Sequence, residues 1–360
     1  MRLAKLATVL FLVSIFLAPL GVFAAEKPIV LKYHFEQSAT APMAVYGHFP
    51  WGKDVERVTN GRVQIQFFPS DTLFKTKTEA LEGTMAGVTD IAFMFAWAYS
   101  PQLDLIDALS IPFAAPNAEV ASRATWKLYE AFPEIQNQWK DVKLLSAWTT
   151  APYYFTSSKK QIKTLEDFKG MKIRTTGGIL TEMVKLYGGS PMTVPLPNAY
   201  ENLQKGVIDG LACNSEIVLG FRTYEVTPYF TLVPSTIVTQ QLIMNKKAWQ
   251  RLPAEIQEQI MSVSGEQGAI RFGGGAFDRS DDLLDAVLAK EGVTINKYTP
   301  PPEEIERWKA AAQPLAVEWV TKMESRGIKN AAEIQAAGLK FVEDIIAEGR
   351  TDYWRDLPQD

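Results

Sequence analysis

Cysteine is almost absent from this 360-residue chain, where Cys213 stands alone. A single thiol excludes an intramolecular disulfide and any cysteine-rich metal site. It reads either as a small buried apolar residue or as a nucleophile. Histidine is nearly as scarce, with only His34 and His48, and neither stands in a metal-ligand spacing such as HExxH. The patterns GxSxG, GxxxxGK[ST] and GxGxxG after a strand are missing too. Gly273-Gly274-Gly275 lies in a helical span with no strand before it, which argues against a phosphate loop. A nucleophile-and-base enzyme would have to use His34, His48 or a carboxylate pair that sequence does not reveal, so the expectation is a protein that is not an enzyme and needs no metal or cofactor. Basic clusters are lacking beyond Lys159-Lys160, and 41 acidic residues outnumber 37 basic ones, which argues against a nucleic-acid partner.

What the chain has begins with a leader. Arg2 and Lys5 precede the apolar run LATVLFLVSIFLAPLGVF, and Val22-Phe23-Ala24 offers small residues for cleavage, so residues 1–25 read as a secretory signal peptide. An uncleaved anchor is the alternative. Loss of Arg2 and Lys5 leaves 35 basic against 41 acidic residues, a net charge of −6. About 335 remaining residues suggest two domains, held by their cores because no disulfide is available.

The mature chain opens with strand, helix, strand, helix, strand (IVLKYHFEQS, MAVYGHFPWGKDVERVT, VQIQFFP, TEALEGTMAG, TDIAFMF), the order that gives right-handed crossovers and a parallel sheet. Two helices follow SIPFAAPNAE. The second half repeats the logic from VKLLSAWT and YYFTSS onward, with a capping box expected at Thr164 and Asp167. Residues 253–290 read as a mostly helical span with a bend or break at Gly273–Gly275, and the C-terminus as two amphipathic helices. Two similar α/β halves are the pattern of lobes facing one another across a cleft.

The stretch DFKGMKIRTTGGILTEM, residues 167–183, places Arg174 where a short strand gives way to a helix. Unpaired N–H groups and the dipole favour an anion there, and a guanidinium adds a forked donor that matches a carboxylate. A surface arginine paired with Glu166 or Asp167 is the other reading. Aromatic residues gather near predicted strand ends, where ligands of open α/β sheets sit: Phe35, Phe95, Trp97 and Tyr153 are candidate pocket walls, with core packing as the alternative for each.

These residues resemble a known family. FTSSKKQIKTLEDFKGMKIRTTGG, YGGSPMTVPLPNAYENLQKGVIDGLACNSE and FRTYEVTPYFT, with VTNGRVQIQFFPSDTL, GVTDIAFMF and AWQRLPAEIQEQI, are similar to the periplasmic solute-binding subunits of tripartite ATP-independent periplasmic (TRAP) transporters, of the dicarboxylate-binding type. The likeness covers essentially the whole mature chain. It implies an α/β, two-lobed periplasmic binding protein fold, with parallel or mixed sheets flanked by helices, a long connecting helix and a helical C-terminus. The expected lobes are 26–148 with about 237–272, and 149–236 with about 273–360, hinged near 148 and 236.

In that family the arginine of the KIR strand, here Arg174, grips the ligand carboxylate, and Asn214 falls where a second polar contact is usual. Relatives often carry another arginine where this chain has Tyr153, and polar contacts where it has Phe95 and Trp97. Both departures imply a monocarboxylate with an apolar or aromatic body rather than a dicarboxylate. Glu216 reads as a partner for a ligand hydroxyl or cation, or as a cleft-edge salt bridge with Arg222. The implied partners are a small organic carboxylate and the TRAP membrane permease, the only link to the membrane. The rivals are a sensor presenting its ligand to a membrane kinase, a periplasmic lyase or hydrolase, and the binding protein of an ATP-driven transporter.

Overall fold

A computed structural model describes residues 27–74 and 76–358; the expected leader lies outside the described residues. The chain runs β1 (Ile29–His34), α1 (Phe49–Val58), β2 (Val63–Phe68), α2 (Glu79–Ala86), β3 (Ile91–Met94), α3 (Ala118–Ala131), α4 (Pro133–Gln138) and β4 (Val142–Thr149). It continues through β5 (Tyr154–Ser157), β6 (Lys172–Thr175), α5 (Gly178–Leu186), β7 (Ser190–Thr193), α6 (Ala199–Gln204), β8 (Gly210–Cys213), α7 (Ser215–Gly220) and β9 (Tyr229–Thr231). It returns as β10 (Thr239–Asn245), α8 (Lys246–Arg251), α9 (Ala254–Ser262), α10 (Gly265–Ala269) and α11 (Arg279–Glu291), then ends in β11 (Asn296–Tyr298), α12 (Pro302–Ala312), α13 (Pro314–Ser325) and α14 (Ala331–Ala347).

These strands form two mixed sheets, ordered β2-β1-β3-β10-β4 and β11-β9-β5-β8-β6-β7. The foreseen parallel pairing of β1 with β2 and β3 is present. So is the capping box, in which Asp167 accepts from the Thr164 backbone N–H at 3.2 Å. Strand β10 was not legible in the sequence. It lies antiparallel between β3 and β4, is buried along its whole length, and therefore lacks the alternating pattern of a half-exposed strand. The crossovers between the sheets run side by side, Thr150 N–H donating to the Val238 carbonyl at 2.9 Å and Tyr153 N–H to that of Thr236 at 2.8 Å.

Two expectations change. The long helical span breaks at Val263–Ser264, where Ser264 is extended, and not at the glycines. Gly273–Gly275 sit inside a π-helical stretch, Ile270–Asp278, that joins α10 to α11 without a break. Glycine is required at Gly273 and Gly274 because a Cβ would collide with Ser122 and Trp354. The C-terminus forms three helices, not two, because Pro314 cannot continue α12 and instead starts α13.

Each sheet has its own core. Around the first, Trp148 stacks on Phe272 at 4.2 Å. In the second, Trp308 of α12 packs on Phe168 and Tyr187 at 5.3 and 5.2 Å, and its indole N–H donates to buried Glu304 at 2.8 Å. Such rings bury large apolar areas. Met323 of α13 and Ala331, Ile334, Val342 and Ile345 of α14 belong to the first core. The segment 273–360 thus contributes residues to both cores, Leu284, Leu288, Trp308, Ala312 and Leu315 to the second. Ile179 and Val238 pack against both cores.

Candidate functional site

Strands β6 and β8 are parallel, with Arg174 opposite Leu211, and β5 runs antiparallel to β8, with Tyr154 opposite Cys213. The carboxyl ends of β6 and β8 and the amino end of β5 therefore share one edge, which brings Arg174, Asn214 and Tyr153 together. Arg174 is 5% exposed. Its Nε donates to the Val194 carbonyl at 3.0 Å, while its buried Nη1 has no partner. The alternative reading fails, because Glu166 pairs with Arg307 and Asp167 with Lys160. Burial pulls the guanidinium below its ordinary pKa, against the pull of Tyr153 and Cys213. A buried donor without an acceptor is costly, which marks the place of an acceptor group.

Asn214 has no exposed surface. It caps α7, its Oδ1 accepting from Ile217 N–H at 3.1 Å, which fixes the amide and leaves Nδ2 buried without a partner. Tyr153 is buried beside them, and desolvation first, then the charge of Glu216, raises its phenol above the usual range while Arg174 acts the other way. Glu216, at the start of α7, accepts a hydrogen bond from the backbone of Met43, which belongs to the first core. Burial foremost raises its carboxyl to about 7, with Glu36 adding to the shift. It makes no bridge with Arg222, which pairs with Glu225 and Glu291.

On the first sheet, Phe35 follows β1 with no exposed surface and stacks on His48 at 4.3 Å, inside the core. Phe95 follows β3 and is buried, whereas Trp97 is 41% exposed. Their rings lie 5.6 Å apart, with Lys77 Nζ 4.2 Å over Phe95 and 5.6 Å from Trp97. Lys77 also pairs with Glu36 at 3.3 Å. Sequence reading missed Glu36 and Lys77, because they are 41 residues apart in loops and carry no motif.

A cavity of about 400 Å³ adjoins this edge, walled by Trp97, by Thr176–Leu180 at the start of α5, by Ile237–Thr239 and by Trp319. Arg174 does not line it; Thr176, two residues further on, does. The histidines and the thiol offer little chemistry. Burial lowers His34 to about 4 and His48 to about 3, and raises Cys213 to about 12. Among the described residues no group of three or more His, Cys, Asp and Glu is arranged for a metal ion, and no helix is long and apolar enough to cross a membrane.

Residues 41–322 match the family model for bacterial extracellular solute-binding proteins, family 7. The fold is similar to a TRAP solute-binding protein from Rhodoferax ferrireducens in complex with copurified benzoate, with TM-score 0.81 and 26% identity over 89% of this chain and 100% of that one. It is also similar to one from Bordetella bronchiseptica with bound (R)- and (S)-mandelate, with TM-score 0.78 and 25% identity over 88% of this chain and 100% of that one. In sequence it is 22% identical to the C4-dicarboxylate-binding periplasmic protein DctP of Rhodobacter capsulatus, over 88% of this chain and 93% of that one. The chain belongs to family 7 of the bacterial extracellular solute-binding proteins, the solute receptors of TRAP transporters.

Proposed function

We propose that this protein captures a small monocarboxylate with an apolar or aromatic body between its two lobes in the periplasm and delivers it to a TRAP membrane permease. The observation that carries the reading is the buried, unpartnered Nη1 of Arg174, with the equally unpartnered Nδ2 of Asn214 at the same sheet edge. A carboxylate oxygen pair meets a guanidinium fork and an amide N–H without further change, whereas the aromatic rings of Phe95 and Trp97 suit an apolar body. The benzoate and mandelate bound by similar receptors support this class.

Closure follows from the same physics. Bringing the lobes together removes water from the ion pair and strengthens it, and a ligand that binds the closed form better shifts the population toward it. The moving bodies are 27–148 with 237–278 and α14, against 149–236 with 279–312, with α13 between them through Leu315 in the second core and Met323 in the first, as core membership supports. The side-by-side crossovers near 148 and 236 are the hinges, and residues 1–25 direct export. Buried, neutral histidines and an inert thiol favour binding over hydrolysis or lyase chemistry. Mass spectrometry of the ligand that copurifies, followed by calorimetry against a panel of aromatic monocarboxylates, tests the reading; affinity confined to non-acidic solutes would overturn it.

A further inference from the structure

We infer that Phe113 is the pivot of lobe closure, a residue of the first lobe whose ring is seated in the second and so positions the two lobes to close on the ligand. The inference rests on the closure proposed above. Leu109, Ile111, Ala114 and Ala115, on either side of Phe113 in the chain, are buried in the first core. The ring of Phe113 instead packs against the second core, with Lys309 Nζ of α12 5.9 Å from its centroid. The loop departs from its neighbours here at a φ of 60°, a left-handed conformation that is strained for a bulky residue. Such strain persists only where the surroundings over-determine it, and it gathers at ligand clamps and switch regions.

The backbone ties this seat to the crossovers and to the acid site. Phe113 N–H donates to the Ser235 carbonyl at 2.7 Å, and Ser235 N–H donates to the Tyr153 carbonyl at 2.8 Å. The loop is therefore a third segment laid beside the two crossovers, and the last link of the line, Tyr153, carries the phenol beside Arg174. Just upstream the same stretch is anchored again, where the Thr239 hydroxyl donates to Asp107. With its backbone bonded to a crossover and its ring held by the opposite body, this point moves least when the lobes turn, so closure is a rotation about it. Without the ring the lobes sample orientations that do not bring Arg174 and the apolar wall onto one ligand, and the apparent affinity falls with the fraction that remains competent.

Calorimetry with benzoate, and small-angle X-ray scattering of the purified protein with and without it, test this. The wild type is expected to become more compact when benzoate binds. Phe113→Ala should bind benzoate about threefold or more weakly, as expected for a residue that acts without touching the ligand, whereas Phe113→Leu, which refills the seat, should bind like the wild type. Phe113→Gly suits the backbone but empties the seat, so it should melt no lower than Phe113→Ala and yet bind as weakly. Wild-type affinity in Phe113→Ala, affinity as low in Phe113→Leu as in Phe113→Ala, or affinity that returns with thermal stability in Phe113→Gly overturns the pivot. A wild type that binds benzoate without compacting removes closure itself; a wild type that compacts, with a Phe113→Ala variant that compacts and binds identically, removes only the pivot.

Discussion

At one edge the second sheet gathers a guanidinium, an amide and a phenol, all buried, whereas β3 of the first is followed by Phe95, Trp97 and, over their rings, a lysine already paired to Glu36. The polar groups of the second edge are held by the fold itself: Val194 fixes Arg174, and the helix cap fixes Asn214. Their free valences are therefore aimed before any ligand arrives. The first edge supplies area instead of direction. An acid group needs preorganised donors in one place, whereas an apolar body gains most when a second surface closes over it.

The contrast breaks most easily at Arg174. Arg174→Ala should weaken carboxylate binding by about tenfold or more by calorimetry, matching the loss of a charge-assisted hydrogen bond, with little change in the ligand-free melting temperature. Unchanged affinity would remove the residue from the site. Asn214→Asp keeps an α7 cap but replaces the donor with a negative charge, so affinity should fall by a similar factor while the melting temperature stays near the wild type. A wild-type affinity there would show that Nδ2 is satisfied by water alone.

On the other lobe, Trp97→Ala should cost about three- to tenfold for an aromatic acid, as expected for a lost aromatic contact, and much less for acetate. An equal loss for both acids would place Trp97 outside the body-binding surface. The smallest effect is on pH dependence. With its carboxyl raised from 4.5 to about 7, Glu216 favours the fold as the neutral acid; that contribution is complete below 4.5 and is lost as pH rises through 7. Glu216→Gln should therefore melt like the wild type at low pH and above it at neutral and higher pH, by on the order of 2 °C. A gap that closes as pH rises would contradict the sign.

Much of this is legible in the sequence. The early strands and helices carry period-2 and period-3.6 patterns, which are local, and Arg174 stood out because a cation at a strand-to-helix junction is local as well. The Asn214 position followed from family likeness; its orphaned Nδ2 did not. Phe35, equally aromatic and equally near a strand end, is sealed in the core, since sequence gives proximity to an end but not which way a ring packs.

The sequence by itself determined most of the early strands and helices and singled out Arg174 at its strand-to-helix junction, because each depends on neighbours within a few positions. Tertiary structure alone decided that β10 inserts antiparallel between β3 and β4, that α14 returns to the first core, and that Glu36, Lys77 and Glu216 share one neighbourhood. Those outcomes depend on burial and on contacts between residues far apart in the chain, which no local pattern encodes.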